Sequence, residues 1–148
     1  MLTKPVAVLV GWVGFLFMLQ TTPAATSSKH MHTLMDVFRD IRFDLAKEPL
    51  YLSRARAGMQ AQFRDPLMKH AQQLPESAEL SSQCLKRMVA EVGDLDELFY
   101  ATFGYGCQEH DQYSLECLEA AEPDFLSGLQ ALVRETQKCW VKTKGGNK

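Results

Sequence analysis

Asparagine is almost missing from this chain: the one copy, Asn147, precedes Lys148, so no Asn-x-Ser/Thr acceptor exists and an exported form carries no N-linked sugar. No Cys-x-x-Cys pair occurs, which removes the spacing that zinc ribbons and thioredoxin-like redox sites use. Gly-x-Ser-x-Gly, a Cys-His signature and a phosphate-cradling Gly-rich loop are also missing, so the usual marks of acyl-transfer hydrolases and nucleotide-binding enzymes are not there. Beyond residue 25 no alternating polar-apolar stretch of useful length appears, which argues against a sheet protein. Without internal repeats or low-complexity segments, a solenoid or a mucin-like stalk is excluded.

A basic surplus is lacking as well. Fifteen of the sixteen basic residues lie beyond the first 25 positions, against all eighteen acids, which leaves a net charge near −3 and no footprint for nucleic acid.

What is present begins with the first residues. Met1-Leu2-Thr3-Lys4-Pro5 precedes an apolar run from Val6 to Leu19, and small residues from Thr21 to Ser27 follow, in the order of a secretory signal peptide. The 14-residue run is short of the roughly 20 helical residues that a bilayer core about 30 Å thick requires, so cleavage is expected rather than anchoring. Thr22 with Ala24, or Ala25 with Ser27, supplies the small residues before a cut, which places it between residues 24 and 27. The division is therefore a signal peptide over residues 1–25, a helical domain over 26–141 and a flexible basic tail over 142–148. No second long apolar run follows, so the mature chain has no stable membrane span, and the protein is expected to be secreted and extracellular.

Met31, Leu34, Phe38, Ile41 and Leu45 recur at three- and four-residue steps and predict an amphipathic helix from about Ser28 to Lys47. Glu48-Pro49 ends it, because the residue before proline is pushed out of the helical region, and Pro49 opens a second helix with Leu52, Ala55, Met59 and Phe63 on one face. Asp65-Pro66 repeats the stop and restart, leaving a short helix through Leu67, Met68, Ala71 and Leu74. After the break at Pro75-Glu76-Ser77, the stripe Leu80, Cys84, Met88, Val92, Leu95 and Phe99 predicts a helix from Ala78 to Phe99, with Gly93 a weak point. Gly104-Tyr105-Gly106 and Glu109-His110-Asp111 read as loop, and Ser114 to Ala121 as a short helix. The last helix runs from Asp124 to Trp140, with Phe125, Leu129, Leu132, Thr136 and Cys139 on one face. The expected fold class is all-α: a small disulfide-stabilised bundle of four to five helices.

Cys84, Cys107, Cys117 and Cys139 form an even set behind a signal peptide, which reads as two disulfides. Of the three pairings, helix geometry favours one. In an antiparallel pair of the last two long helices, Cys84 and Cys139 each lie about 22 Å from the connected end at 1.5 Å rise per residue, so they are level. Cys84 with Cys139 is then natural, and Cys107 with Cys117 closes the connecting loop.

Candidate chemistry is thin. If cleavage follows Ser27, the mature chain starts Ser28-Lys29-His30, and a free amine with His30 at position three is a copper(II) geometry. The competing reading leaves His30 and His32 solvated in a fraying first turn, and no metal or other cofactor is expected. His70 and His110 have no local partner pattern, and Asp94, Asp96 and Glu97 read as carboxylates facing water. Phe99, Tyr100, Phe103 and Tyr105 are the densest aromatic stretch, and they either line a pocket for an apolar ligand or cap a bundle core.

Leu80-Ser81-Ser82-Gln83-Cys84, Leu98-Phe99-Tyr100-Ala101 and Asp111-Gln112-Tyr113-Ser114-Leu115-Glu116-Cys117-Leu118 together resemble the extracellular N-terminal domain of the nose-resistant-to-fluoxetine family, over about residues 80–118. Tyr100-Ala101 stands in place of that family's Trp-Ala, its Asp-Ala-x-Gly-Lys segment is absent, and the tyrosine-to-cysteine gap is longer by one. The resemblance implies a free-standing lipid-handling or acyltransferase-accessory module, and it implies a Cys84 to Cys117 bridge. From the residues themselves, export, disulfides and the lack of a catalytic constellation point to a secreted, non-enzymatic binding protein. Its partner is either a protein receptor or a small apolar ligand.

Overall fold

The computed structural model describes residues 29–107 and 115–142. The residues read from the sequence as a signal peptide, as a loop at Glu109-His110-Asp111 and as a tail beyond Lys142 lie outside them. The described chain is a disulfide-linked helical bundle with one very short strand pair.

Helix α1 spans Lys29–Asp40 and buries His30, Leu34 and Phe38. It stops seven residues before the Lys47 that periodicity predicts. The cause is Asp44, whose carboxylate accepts the Ala46 N–H at 2.9 Å and whose carbonyl accepts the Lys47 N–H at 3.2 Å, a local turn that competes with helix. Helix α2, Pro49–Met59, begins as expected on Pro49, with the Glu48 carboxylate capping the Tyr51 N–H at 2.9 Å.

The predicted stop at Asp65-Pro66 does not occur. The chain passes through a π-helical turn, Gln60–Arg64, into α3, Asp65–Gln72. Pro66 has no N–H and its ring would collide with the Gln62 carbonyl one α-turn back. A wide turn just upstream, in which the Asp65 N–H reaches the Gln60 carbonyl, relieves that clash. Ala55, Met59, Phe63, Leu67 and Ala71, each four residues apart, are all buried. Steps of four advance an α-helix by about 40° beyond a full circle, and the wide turn gives back part of that drift.

Residues Ala78–Leu80 form a strand, β1, not the first turn of a helix, and pair antiparallel with β2, Trp140–Lys142, with Glu79 opposite Val141. Lys142 thus belongs to this pair and not to the tail. Ser81 then starts α4, Ser82–Cys107, its hydroxyl accepting the Cys84 N–H at 3.4 Å and its carbonyl the Leu85 N–H at 3.1 Å. The helix runs through Gly104-Tyr105-Gly106, which glycine content predicts as loop, because Phe99, Phe103 and Cys107 keep a buried stripe at four-residue spacing.

Helix α5, Leu115–Gln137, likewise contains Pro123 where a boundary is predicted. Cys117, Leu118, Ala121 and Phe125 bury one face on both sides of the proline, and this packing outweighs the single lost backbone bond. Helices α4 and α5 form an antiparallel hairpin, against which α1, α2 and α3 pack.

Candidate functional site

The densest polar arrangement is one that periodicity misses. The turn after α1 carries Lys47 into the bundle, where its ammonium lies 2.6 Å from Asp96 Oδ2 and 3.2 Å from Glu97 Oε1, with the Tyr100 ring centroid at 4.9 Å. The Tyr51 hydroxyl lies 2.6 Å from Asp96 Oδ1 and 2.8 Å from the Asp96 carbonyl. Lys47 and Asp96 are both under 9 % exposed, so Asp96 does not face water as its acidic neighbourhood suggests. Its place four residues after buried Val92 and three before buried Phe99 is the signal that marks it as inward. The buried members, Lys47, Tyr51 and Asp96, satisfy one another and tie the α1–α2 turn to α4, with Glu97 at the exposed edge. The cluster offers no free group for catalysis.

The four aromatic candidates separate. Phe99 stacks on Phe125 at 4.4 Å between centroids, Tyr51 packs against Phe99, Tyr100 and Phe103, and Phe103 is fully buried. Tyr105 is 73 % exposed on α4. Among the described residues these side chains fill the core or face outward and do not line one pocket.

His30 also lies away from a copper geometry. It is buried in α1, and its Nε2 donates to the Pro75 carbonyl at 2.9 Å, bracing the helix against the end of α3. His32 is exposed, His70 meets the edge of Trp140 at 5.3 Å, and His110 lies outside the described residues. No group of three or more metal-binding side chains occurs among the described residues, and no described helix is long and apolar enough to cross a membrane.

Cys84 is bonded to Cys139 and Cys107 to Cys117, with Cα separations of 5.9 and 5.5 Å. The hairpin of α4 and α5 is therefore clamped at both ends. The Cys84 to Cys117 link implied by the family resemblance is not made.

Among the described residues, three surface grooves bear on function. One of about 530 Å³ lies between α1 and the π turn, beside Met35, Arg39 and Arg64. A second, about 750 Å³ and basic, surrounds the Cys84–Cys139 bond with Lys86, Arg87 and Lys138. The third, about 180 Å³, lies between α4 and α5 and is bordered by Leu98, Thr102, Asp124 and Phe125. Such a molecule is built to present rigid surface, which suits recognition of another macromolecule.

Comparison with known proteins accords with that surface. A family profile, the aegyptin C-terminal domain, matches residues 24–140. A gSG7 salivary protein of Anopheles stephensi is 50% identical over 140 residues, covering 95% of this chain and 98% of the relative. Among solved structures, a mosquito complement inhibitor from Anopheles freeborni shares 44% identity with a TM-score of 0.71, and an anophensin from Anopheles stephensi shares 51% with a TM-score of 0.60. Each covers 78% of this chain and 98% of the other. These matches overturn the nose-resistant-to-fluoxetine resemblance, which rested on short motifs over residues 80–118 and implied a cysteine pairing the fold does not use. Like these salivary relatives the protein is secreted and is not an enzyme. The chain belongs to the aegyptin C-terminal domain family.

Proposed function

We propose that this protein inhibits complement by binding a protein component of that system, without chemistry of its own. One observation carries the reading: the complement inhibitor of Anopheles freeborni is 44% identical, and 98% of its chain is covered by this one at a TM-score of 0.71. A chain of this kind leaves its cell behind a signal peptide, and removal of residues 1–25 before the helical domain forms part of the proposal. The two disulfides and the buried Lys47–Asp96 pair supply a rigid body, which lowers the ordering cost of association. A small apolar ligand is less well served, since Phe99 and Phe103 are already packed in the core.

Recombinant protein refolded with both disulfides, added to serum with target erythrocytes, is expected to suppress lysis in a dose-dependent and saturable way. Unimpaired lysis through every activation route at micromolar protein overturns the proposal.

A further inference from the structure

The α4–α5 hairpin is electrically one-sided. From Met88 to Cys107 and from Leu115 to Val133 there is no lysine or arginine, while Glu91, Asp94, Asp96, Glu97, Glu116, Glu119, Glu122 and Asp124 fall in those stretches. Cations of neighbouring elements and of the first turns of α4 pair with five of them. Lys47 takes Asp96 and Glu97, Arg54 takes Glu119 and Glu122 at 3.8 and 3.7 Å, and Arg87 takes Glu91 at 3.6 Å. Asp94, Glu116 and Asp124 have no ion-pair partner among the described residues, and all three are exposed.

Asp94 and Asp124 flank an apolar surface. Asp94, Leu98, Thr102 and Tyr105 follow helical spacing along one outward stripe of α4. Leu98 is 63 % exposed and Tyr105 73 %, large apolar area that folding leaves in water. Beside the stripe opens the groove of about 180 Å³, with Phe99, Ala121 and Phe125 buried at its floor and Asp124 at its rim. One turn beyond Asp124, α5 has Gly128. A Cβ there would meet Leu95 Cδ2 at 2.6 Å, so Leu95 lies across the glycine and closes that end of the groove. A dry cavity of about 150 Å³ accommodates benzene, so the groove has room for one aromatic or aliphatic side chain.

We propose that this groove and the stripe beside it form the docking face for a basic protein surface. The partner inserts one apolar side chain between Leu98 and Phe125 and sets lysine or arginine against Asp94 and Asp124. The assignment rests on the complement-inhibitor reading and adds the face and the chemistry of the partner. An apolar anchor in a pocket with a charged rim is the arrangement that concentrates binding energy, and the acids steer approach by charge.

The test is inhibition of complement lysis by the intact, disulfide-bonded protein and four exposed-site variants: Leu98→Glu with Tyr105→Ser, Thr102→Trp to fill the groove mouth, Asp94→Lys with Asp124→Lys, and Lys86→Glu at the opposite end as control. Circular dichroism and melting confirm the fold of each, and light scattering gives its oligomeric state. The first two are expected to weaken inhibition by about tenfold or more, the charge reversal by about threefold with a loss of salt dependence, and the control by less than about twofold. A wild type that inhibits while the folded groove variants inhibit equally well overturns the docking face alone. A dimer that Leu98→Glu with Tyr105→Ser splits without loss of inhibition places a second copy there, and so overturns it too. A wild type without inhibition removes the functional reading and this assignment with it.

Discussion

Lys47 Nζ and Asp96 Oδ2 lie 2.6 Å apart although 49 residues separate them, an ion pair closed between a turn and the middle of a helix. Removing one partner leaves a buried charge without its counterpart, a loss of about 3 kcal/mol for such pairs. Lys47→Met is therefore expected to lower unfolding stability by about that amount in urea titration. Lys47→Met combined with Asp96→Leu should recover most of it, since the Tyr51 hydroxyl keeps the Asp96 carbonyl at 2.8 Å. Equal stability of Lys47→Met and the double variant would mean that an Asp96 carboxylate left without its ammonium costs nothing, against the expected recovery.

The same cluster sets an alkaline limit. Burial alone would lower the Lys47 pKa, but the Asp96 hydrogen bond and charge, followed by those of Glu97, outweigh it and hold the ammonium above its ordinary value. Tyr51 is pushed up as well, first by burial and then by the Asp96 hydrogen bond and charge. Both groups are held protonated by the fold. Their contribution is thus complete at neutral pH and is lost as pH climbs past the ordinary lysine and tyrosine range near about 10. Melting temperature should stay level from about pH 7 to 9 and fall above about 10, with a shallower fall in the Lys47→Met/Asp96→Leu variant. An identical alkaline fall in that variant would count against the cluster as its cause.

The two disulfides close loops of very different size, 55 and 10 residues in sequence separation. In the chain-entropy model these constrain the unfolded chain by about 4 and about 3 kcal/mol respectively. Replacing Cys84 and Cys139 with alanine should accordingly cost about 1 kcal/mol more than replacing Cys107 and Cys117, read from chemical denaturation of the two double variants. The reverse order would mean that native packing around the small loop matters more than loop length.

The helical class was legible because Leu34, Phe38, Met88, Val92 and Leu129 recur at the period of a helix, and burial of one face is what a sequence records most directly. Boundaries were less so. Proline at 66 and 123 and glycine at 104 and 106 are strong local punctuation, yet packed residues on either side carried the helices across all four. Strand β1 left no trace, since three residues are too few to show a period. Of the proposed docking face, the exposed aromatic Tyr105 was visible as part of a cluster, but Phe99 and Phe125 come together only through the antiparallel approach of α4 and α5. Lys47 was hidden for a related reason: it stood as the last residue of the first predicted helix, and only the turn at Asp44 and the contact with Asp96 show that it points inward.

The Cys84–Cys139 bond and the β1–β2 pair have a consequence for the order in which the chain matures during export. Cys107 and Cys117 enter the oxidising compartment almost together and can join as soon as the second has emerged. Cys84 must remain a thiol until residue 139 arrives, while Cys107, 23 positions behind it, is within easy reach. Early closure of the small loop withdraws both competing thiols. Closed in that order, the ten-residue bridge would guard the long one, and the last bond and the strand pair are expected to wait for Trp140 to Lys142, an order that trapping of free thiols during oxidative refolding reads directly.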